Sequence, residues 1–358
     1  MNHRIALSFE DGVTRFVDCR AGDTLADAAY RAGINIPLDC RDGACGTCKA
    51  YCEAGRYDGG SYIDEAMSAG EAAAGYVLAC QMRPQSDCVV RIAASAALCR
   101  TTAATHRGRI GSVTRLSGTA VAFSIELDAP AALGFLPGQY VNVRVPGTDQ
   151  KRAYSFSCGP GRASVSFLLR DTAAGLLPAY LRERAEAGAA IEFEGPLGSF
   201  YLREIRRPVL MLAGGTGLAP FLAMLEQIAE TGTDYPVHLI YGVTGDADLV
   251  ELDRLDTAAR RIADFTYVCC VADPASPHPN RGYVTHHLAA DKLHDGDVDV
   301  YLCGPPPMVD AVRAHFAAHG IRPANFHYEK FVTSGLVTAI GDSIATATAA
   351  IPETVLPQ

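Results

Sequence analysis

Four of the twelve cysteines in this 358-residue sequence stand at a spacing that can do chemistry. Cys40-Arg41-Asp42-Gly43-Ala44-Cys45-Gly46-Thr47-Cys48 is a C-x4-C-x2-C run, and Cys80 lies well downstream. That is the ligand spacing of a plant-type [2Fe–2S] cluster. One tight loop wraps three thiolates round the metal and a fourth arrives from elsewhere, while Gly43 and Gly46 let the loop turn and aim N–H groups at the sulfides. A structural zinc usually takes paired C-x2-C units, and Cys45/Cys48 is a single one. Cys52 competes with Cys80 for the fourth place, because Cys45, Cys48 and Cys52 imitate part of a bacterial cluster run. That run lacks its preceding short pairing and its following proline, so the spacing favours Cys80. Cys19, Cys88, Cys99, Cys158, Cys269 and Cys270 read as ordinary buried residues.

Two further constellations suit nucleotides. In Arg152-Ala153-Tyr154-Ser155 the arginine can neutralise a flavin phosphate, the tyrosine can lie against the isoalloxazine, and the serine can bond the ring edge. Such a tetrapeptide recurs by chance and gains weight only from its setting. Gly214-Gly215-Thr216-Gly217-Leu218-Ala219-Pro220 joins a buried strand to a helix, where glycines admit a pyrophosphate and the helix start supplies N–H groups. It is not the G-x-G-x-x-G fingerprint, since proline stands in the third glycine's place. Cys303-Gly304-Pro305-Pro306-Pro307-Met308 forms a second loop of this kind at a strand's carboxyl end, where open α/β sheets bind ligands. Mere tight turns are the weaker alternative for both loops. Val243-Thr244-Gly245-Asp246-Ala247-Asp248 has no cation for a 2′-phosphate, so NADH is favoured over NADPH.

The elements that must position these residues fall into three blocks. At roughly 100–200 residues per domain, the length suggests two or three domains. Hydrophobic residues make up 49 % and charged residues 20 %, enough for packed cores. The net charge of −9 argues against a nucleic-acid partner. It divides as −4 over residues 1–95, +4 over 96–206 and −9 over 207–358, so the basic middle fits an anionic ligand or mere scatter. Ile5, Leu7 and Phe9 alternate before an Asp11-Gly12 turn and a second run at 13–17, which predicts a hairpin. Residues 23–29 predict a short capped helix ending at Gly33. The small-residue stretch 93–105 reads as a linker. Strands are expected at 121–127, 140–145, 164–169 and 191–194, with one helix over 176–187, the pattern of an antiparallel barrel. Strands at 209–213, 237–241, 265–271 and 298–303 alternate with helical stretches, as in a parallel α/β sheet. The 18 uncharged residues of 208–225 imitate a membrane span, but their glycines and prolines read as strand, loop and helix start. The opening residues alternate like a strand and not like an export signal, so reduced thiols and a cytoplasmic location are expected.

In this combination the sequence resembles the three-domain flavoprotein reductases, and among them the electron-transfer components of benzoate- and toluate-type 1,2-dioxygenases. The likeness rests on residues 40–48 with Lys49, on Gly75-Tyr76-Val77-Leu78-Ala79-Cys80-Gln81, on residues 152–155, 214–220 and 303–308, and on Tyr328-Glu329-Lys330-Phe331. It implies a multidomain fold. A β-grasp plant-type [2Fe–2S] ferredoxin would occupy residues 1–95 and a linker 96–106. An antiparallel β-barrel for FAD would occupy 107–206 and an α/β parallel-sheet NAD domain 207–335, followed by a tail over 336–358 to which the resemblance assigns nothing. Cys40, Cys45, Cys48 and Cys80 would hold the metal. Arg152, Tyr154, Ser155, Leu168, Arg170, Gly175, Leu176 and Leu177 would hold FAD. Gly215, Thr216, Gly217, Gly304 and Pro305 would hold the nucleotide, with Cys303, Glu329 and Phe331 beside the nicotinamide. One departure stands out: where similar reductases have a Gly-x-x-Ser/Thr helix start, this chain has Gly175-Leu176-Leu177-Pro178, and proline offers neither hydroxyl nor N–H.

The resemblance implies electron flow from NADH to FAD, to the cluster and to a separate Rieske-type terminal oxygenase. That direction is downhill, from about −400 mV for a plant-type cluster to about −150 to +300 mV for a Rieske centre. A monomer without membrane or nucleic-acid partner is implied. A reductase of the same build serving anthranilate dioxygenase, phenol hydroxylase or methane monooxygenase is the alternative. A stand-alone flavohaemoglobin-like enzyme or a carrier module without catalysis lies further off.

Overall fold

The structure, a computed structural model, describes residues 2–38, 43, 46–64, 66–99 and 104–331. Residues 332–358, and with them the expected tail, lie outside the described residues.

The first unit is built on the expected hairpin. β1 (Asn2–Phe9) and β2 (Thr14–Arg20) pair antiparallel with Ile5 opposite Val17, and both side chains face the core. Alternation dictates this, since inward residues recur every second position. α1 (Leu25–Arg31) follows, capped by the Thr24 side chain, and lays Leu25, Ala26, Ala28 and Ala29 on the sheet. Then come β3 (Lys49–Ala54), β4 (Tyr57–Asp58), α2 (Ala69–Ala73), β5 (Tyr76–Leu78), β6 (Arg83–Pro84) and β7 (Cys88–Ile92). The sheet order β2-β1-β7-β3-β5, with β1 and β7 parallel and a helix across one face, is the β-grasp arrangement. α3 (Ala96–Cys99) sits where the sequence reads as linker. Ala96 and Cys99 are buried in this core and Asn35 N–H donates to the Cys99 carbonyl. Small residues there serve close packing and not flexibility.

The second unit comprises β8 (Ala104–Arg115), β9 (Ala120–Leu127), β10 (Tyr140–Arg144), β11 (Lys151–Ser155), β12 (Ser164–Arg170), α4 (Leu176–Glu183) and β13 (Ala190–Leu197). The order β11-β10-β13-β8-β9-β12 nearly closes on itself, because Phe156 bridges Phe167 beyond the end of β11. α4 is shorter than the 176–187 expected. Arg184 and Ala185 N–H both donate to the Tyr180 carbonyl, which closes the last turn. The R-x-Y-S tetrapeptide lies in β11, which follows β10 after a short turn and pairs with it antiparallel.

The third unit has β14 (Val209–Gly214), a 3-10 turn at Gly215–Leu218, α5 (Ala219–Thr231), β15 (Val237–Val243), α6 (Leu252–Arg261), β16 (Phe265–Val271), β17 (Asp299–Gly304), α7 (Pro306–Ala318) and β18 (Asn325–Lys330). All five strands are parallel in the order β16-β15-β14-β17-β18, with the order reversing at β14. β14 and β17 are buried along their whole length, which is why they read as apolar runs, apart from Asp299 at the start of β17. The run 208–225 is accordingly strand, turn and helix, and no described helix is long and apolar enough to cross a membrane.

Barrel and α/β unit are sewn together at Glu226. Its carboxylate accepts the Gly159 N–H at 2.7 Å, Arg162 at 2.7 Å and Arg254 at 2.9 Å. Leu168 on β12 joins the same apolar cluster as Leu218 and Cys303.

Candidate functional site

The cluster region is positioned by α1. The first N–H groups of a helix have no partner within it. Here Leu25 N–H donates to the Met82 carbonyl and Ala26 N–H to the Ala79 carbonyl, both at 2.9 Å, which clamps the turn holding Cys80. Ala79 N–H reaches the Cys48 carbonyl at 3.0 Å, and Cys80 N–H donates to Cys48 Sγ at 3.5 Å. Two of the four predicted ligands are thus side by side and buried, with an amide already aimed at sulfur. Cys40 and Cys45 lie outside the described residues. Gly43 and Gly46 adopt φ of +83° and +74°, and a Cβ on either would strike the carbonyl of Ser61 or Ala66. They are needed for close packing on that segment as well as for the turn. Cys52 points elsewhere: its thiol donates to the Ala54 carbonyl, and burial, then the neighbouring Cys88, push it up to about 11.

The second site lies between barrel and α/β unit. On β11, Arg152 is half-buried and uses two donors on the Lys151 carbonyl (2.8 Å) and Gln150 Oε1 (2.6 Å). That leaves part of its five-donor fork for an anion. Burial raises the Tyr154 phenol well above its usual range, keeping it neutral. Tyr154 packs edge-on to Phe123. Ser155 is buried, and its hydroxyl donates to Glu329 Oε2 at 3.3 Å. On β12, Arg170 is exposed and Leu168 is buried in the interdomain core, so their side chains stand on different surroundings.

α4 begins at Gly175, where no side chain caps the helix, which leaves the Leu176 and Leu177 N–H groups without an intrahelical partner. Pro178 is the third residue, so its missing N–H would have had no helical partner either. A Cβ at 175 would sit 2.7 Å from Thr172 Oγ1 and 2.8 Å from the Pro178 ring, which makes glycine necessary beside this proline. The departure at Pro178 therefore fits the helix start without strain.

At the carboxyl ends of β14 and β17 the glycines do two different things. A Cβ on Gly214 would strike the Met308 sulfur, one on Gly217 the Cys303 carbonyl oxygen, and one on Gly304 would lie 2.8 Å from the same sulfur. These three let the strand tips pack on each other. Gly215 has φ +55° and nothing within 4 Å of its Cβ position, so it alone of the four presents an open face to a ligand. Of the nucleotide-binding glycines that the resemblance implies, Gly217 and Gly304 thus also have a packing role, while Gly215 has only the open face. Thr216 shares the turn with Gly215, and Pro305 caps α7. Cys303 is fully buried, and burial, then the Glu329 carboxylate, raise its thiol far above the ordinary value. Its Sγ lies 4.0 Å from Glu329 Oε2. Phe331 N–H donates to the Gly304 carbonyl at 2.9 Å, tying the end of β18 to this loop.

β18, which carries Glu329, is among the strands that the sequence reading does not contain, together with β3 to β8 and β11. Its signal was the alternation of Phe326 and Tyr328, which is too short to separate from helix. At the tip of β15, Asp248 accepts the Gly245 N–H at 3.0 Å and the Thr119 hydroxyl, and Asp246 accepts Ser276 at 2.7 Å. The acids expected to repel a 2′-phosphate are thereby held in place.

Comparisons with known proteins agree with this geometry. Residues 8–85 match the 2Fe-2S iron-sulfur cluster binding domain, 107–201 the oxidoreductase FAD-binding domain, and 211–314 the oxidoreductase NAD-binding domain. The toluate 1,2-dioxygenase electron transfer component of Pseudomonas putida is 56% identical over 93% of this chain and 100% of its own length. The 2-halobenzoate 1,2-dioxygenase electron transfer component of Burkholderia cepacia is 51% identical over 92% of this chain and 98% of its own. Among solved structures, the cytochrome P450 reductase of Amycolatopsis superposes with a TM-score of 0.68 at 32% identity. That match covers 92% of this chain and 99% of the other.

Proposed function

The chain belongs to the electron transfer components of toluate- and halobenzoate-type 1,2-dioxygenases, and from that premise we propose that it serves the Rieske-type terminal oxygenase of a benzoate/toluate-type system. It is an NADH-dependent oxidoreductase of the ferredoxin-reductase type, with a [2Fe–2S] cluster, FAD and NADH as its cofactors. When bound, these groups turn a two-electron hydride from NADH into single electrons for the oxygenase. We assign the cluster to Cys40, Cys45, Cys48 and Cys80, and the units to residues 1–99, 104–206 and 207–335, the first two longer than the expected 1–95 and 107–206 because α3 packs in the first core and β8 begins at Ala104. A monomer in the cytoplasm, without a nucleic-acid partner, completes the reading.

One observation carries it. Glu329 Oε2 stands 3.3 Å from Ser155 Oγ of the barrel and 4.0 Å from Cys303 Sγ of the α/β sheet. A flavin edge bonded by Ser155 and a nicotinamide seated at Cys303 would therefore meet at one carboxylate. Arg152 and the Leu176 and Leu177 N–H groups would bind the flavin's phosphates, Tyr154 would cover its ring, and Gly215 with Thr216 would receive the dinucleotide at the switch point of the sheet. Phe331, tied to Gly304, closes the same pocket.

The test is a visible absorption spectrum of the purified protein before and after anaerobic NADH. Flavin bands and broad cluster absorption that both bleach support the relay. A flavin spectrum without cluster absorption would refute the cysteine assignment.

A further inference from the structure

Four side chains from two units close on one another beside the cluster loop. Lys49 follows Cys48, and its Nζ donates to the Tyr328 hydroxyl at 2.7 Å and pairs with Glu71 Oε1 at 2.9 Å. The same Glu71 oxygen takes the Arg313 guanidinium at 2.9 Å. Lys49 Nζ and Arg313 Cζ lie 5.3 Å and 5.6 Å from the Tyr328 ring centroid, within cation–π range. Side-chain exposures of 14 % for Lys49, 22 % for Glu71 and 26 % for Arg313 shield these pairs more than most surface bridges. Glu71 is also held from behind, since Ser68 N–H and Oγ both donate to its other oxygen in a capping box. Burial alone would raise its carboxyl, but Lys49, then the Ser68 N–H and Arg313, hold it down at about 2, so it stays charged.

Position gives this cluster its meaning. Lys49 is next to the proposed ligand Cys48, and Tyr328 is next to Glu329 of the flavin–nicotinamide pocket. One hydrogen bond between Lys49 and Tyr328 therefore joins the two redox sites. A second attachment lies elsewhere on the ferredoxin unit, where Glu10 accepts the Tyr201 hydroxyl at 3.2 Å and Arg203 at 3.3 Å. Two attachment points fix an orientation that one would leave free to rotate.

We infer that Lys49, Glu71, Arg313 and Tyr328 form an electrostatic latch that docks the cluster loop on the α/β unit, setting the flavin-to-cluster transfer without entering flavin reduction. This rests on the reading above that the flavin feeds the cluster. All four are positioning residues.

The test uses the holoenzyme in anaerobic stopped flow, following flavin and cluster bleaching separately after NADH. Arg313→Glu sets an acid against Glu71. The flavin phase should be unchanged and the cluster phase slower by about tenfold, as expected when a partly buried pair is turned into a repulsion. Arg313→Lys should stay near wild type. Raising salt should slow the wild-type cluster phase, and Arg313→Gln should flatten that dependence. Hydrogen exchange supplies a readout free of turnover: amides of β3 and α2 should exchange faster in Arg313→Glu. Glu71→Gln, which keeps a capping-box residue while removing the charge, replaces Arg313→Glu if the latter does not fold. An unchanged cluster phase with unchanged exchange overturns the latch, and so does parallel loss of both phases. Absence of any cluster phase in the wild type would instead defeat the parent reading.

Discussion

Gly217→Ala and Gly215→Ala separate the two jobs that neighbouring glycines do. At Gly217 a methyl group would meet the Cys303 carbonyl oxygen, with the carbonyl carbon at 2.8 Å and Gly304 Cα at 3.1 Å. Ordinary carbon contacts lie at about 3.5–4.0 Å, so backbone must move by roughly half an ångström or more. None of those atoms can swing aside, because β17 is buried along its length. Overpacking of this kind costs about 1–3 kcal/mol. The displaced segment carries Cys303 and the Gly304 carbonyl that anchors Phe331, and misplacement near 1 Å can cost about a hundredfold in rate. At Gly215 there is open space and only the left-handed φ of +55° to oppose, roughly 1–2 kcal/mol. Gly217→Ala should therefore lower both the melting temperature and NADH-driven ferricyanide reduction. Gly215→Ala should act mainly on the KM for NADH. Thermal unfolding by circular dichroism and steady-state kinetics on the purified variants check this. A Gly217→Ala protein with wild-type melting and kinetics would refute the strand-tip packing from which the difference is derived.

Replacing Cys80 with Ser should abolish stable cluster absorption while NADH-driven ferricyanide reduction persists; loss of both together would contradict separable modules. Arg152→Ala should release flavin on gel filtration, and unchanged flavin content would remove the arginine from the site. Burial, then the Arg203 charge, lowers His327 from 6.5 to about 3, so the folded protein holds it neutral. The unfolded chain takes up that proton first, so stability should fall as pH drops from about 6.5 toward 3, at roughly 1.4 kcal/mol per unit at most. Denaturant titrations of His327→Gln should show a shallower fall, and an identical slope would remove His327 as the cause.

Much of this molecule was legible locally. The cysteine spacing names a cluster type because loop length limits which thiolates can surround one metal. Alternating Ile5, Leu7 and Phe9 mark a half-buried strand, and the unbroken apolar run at β14 marks a sheet covered on both faces. The stretch at 96–99 misled, since small residues suit a tight core contact as well as a flexible link. β18 escaped because six residues with a weak alternation resemble either class.

The tertiary structure decided what no spacing contains. Gly214, Gly217 and Gly304 serve strand packing while Gly215 faces outward, a division that depends on β17 arriving beside β14 from some ninety residues away. Ser155, Cys303 and Glu329 converge because two units are held by Glu226. Lys49 and Tyr328 are 279 positions apart, and neither residue carries any local sign of the other. Local patterns are set by the chain's own periodicity, whereas these contacts arise only when separate hydrophobic cores have formed and brought their polar rims together.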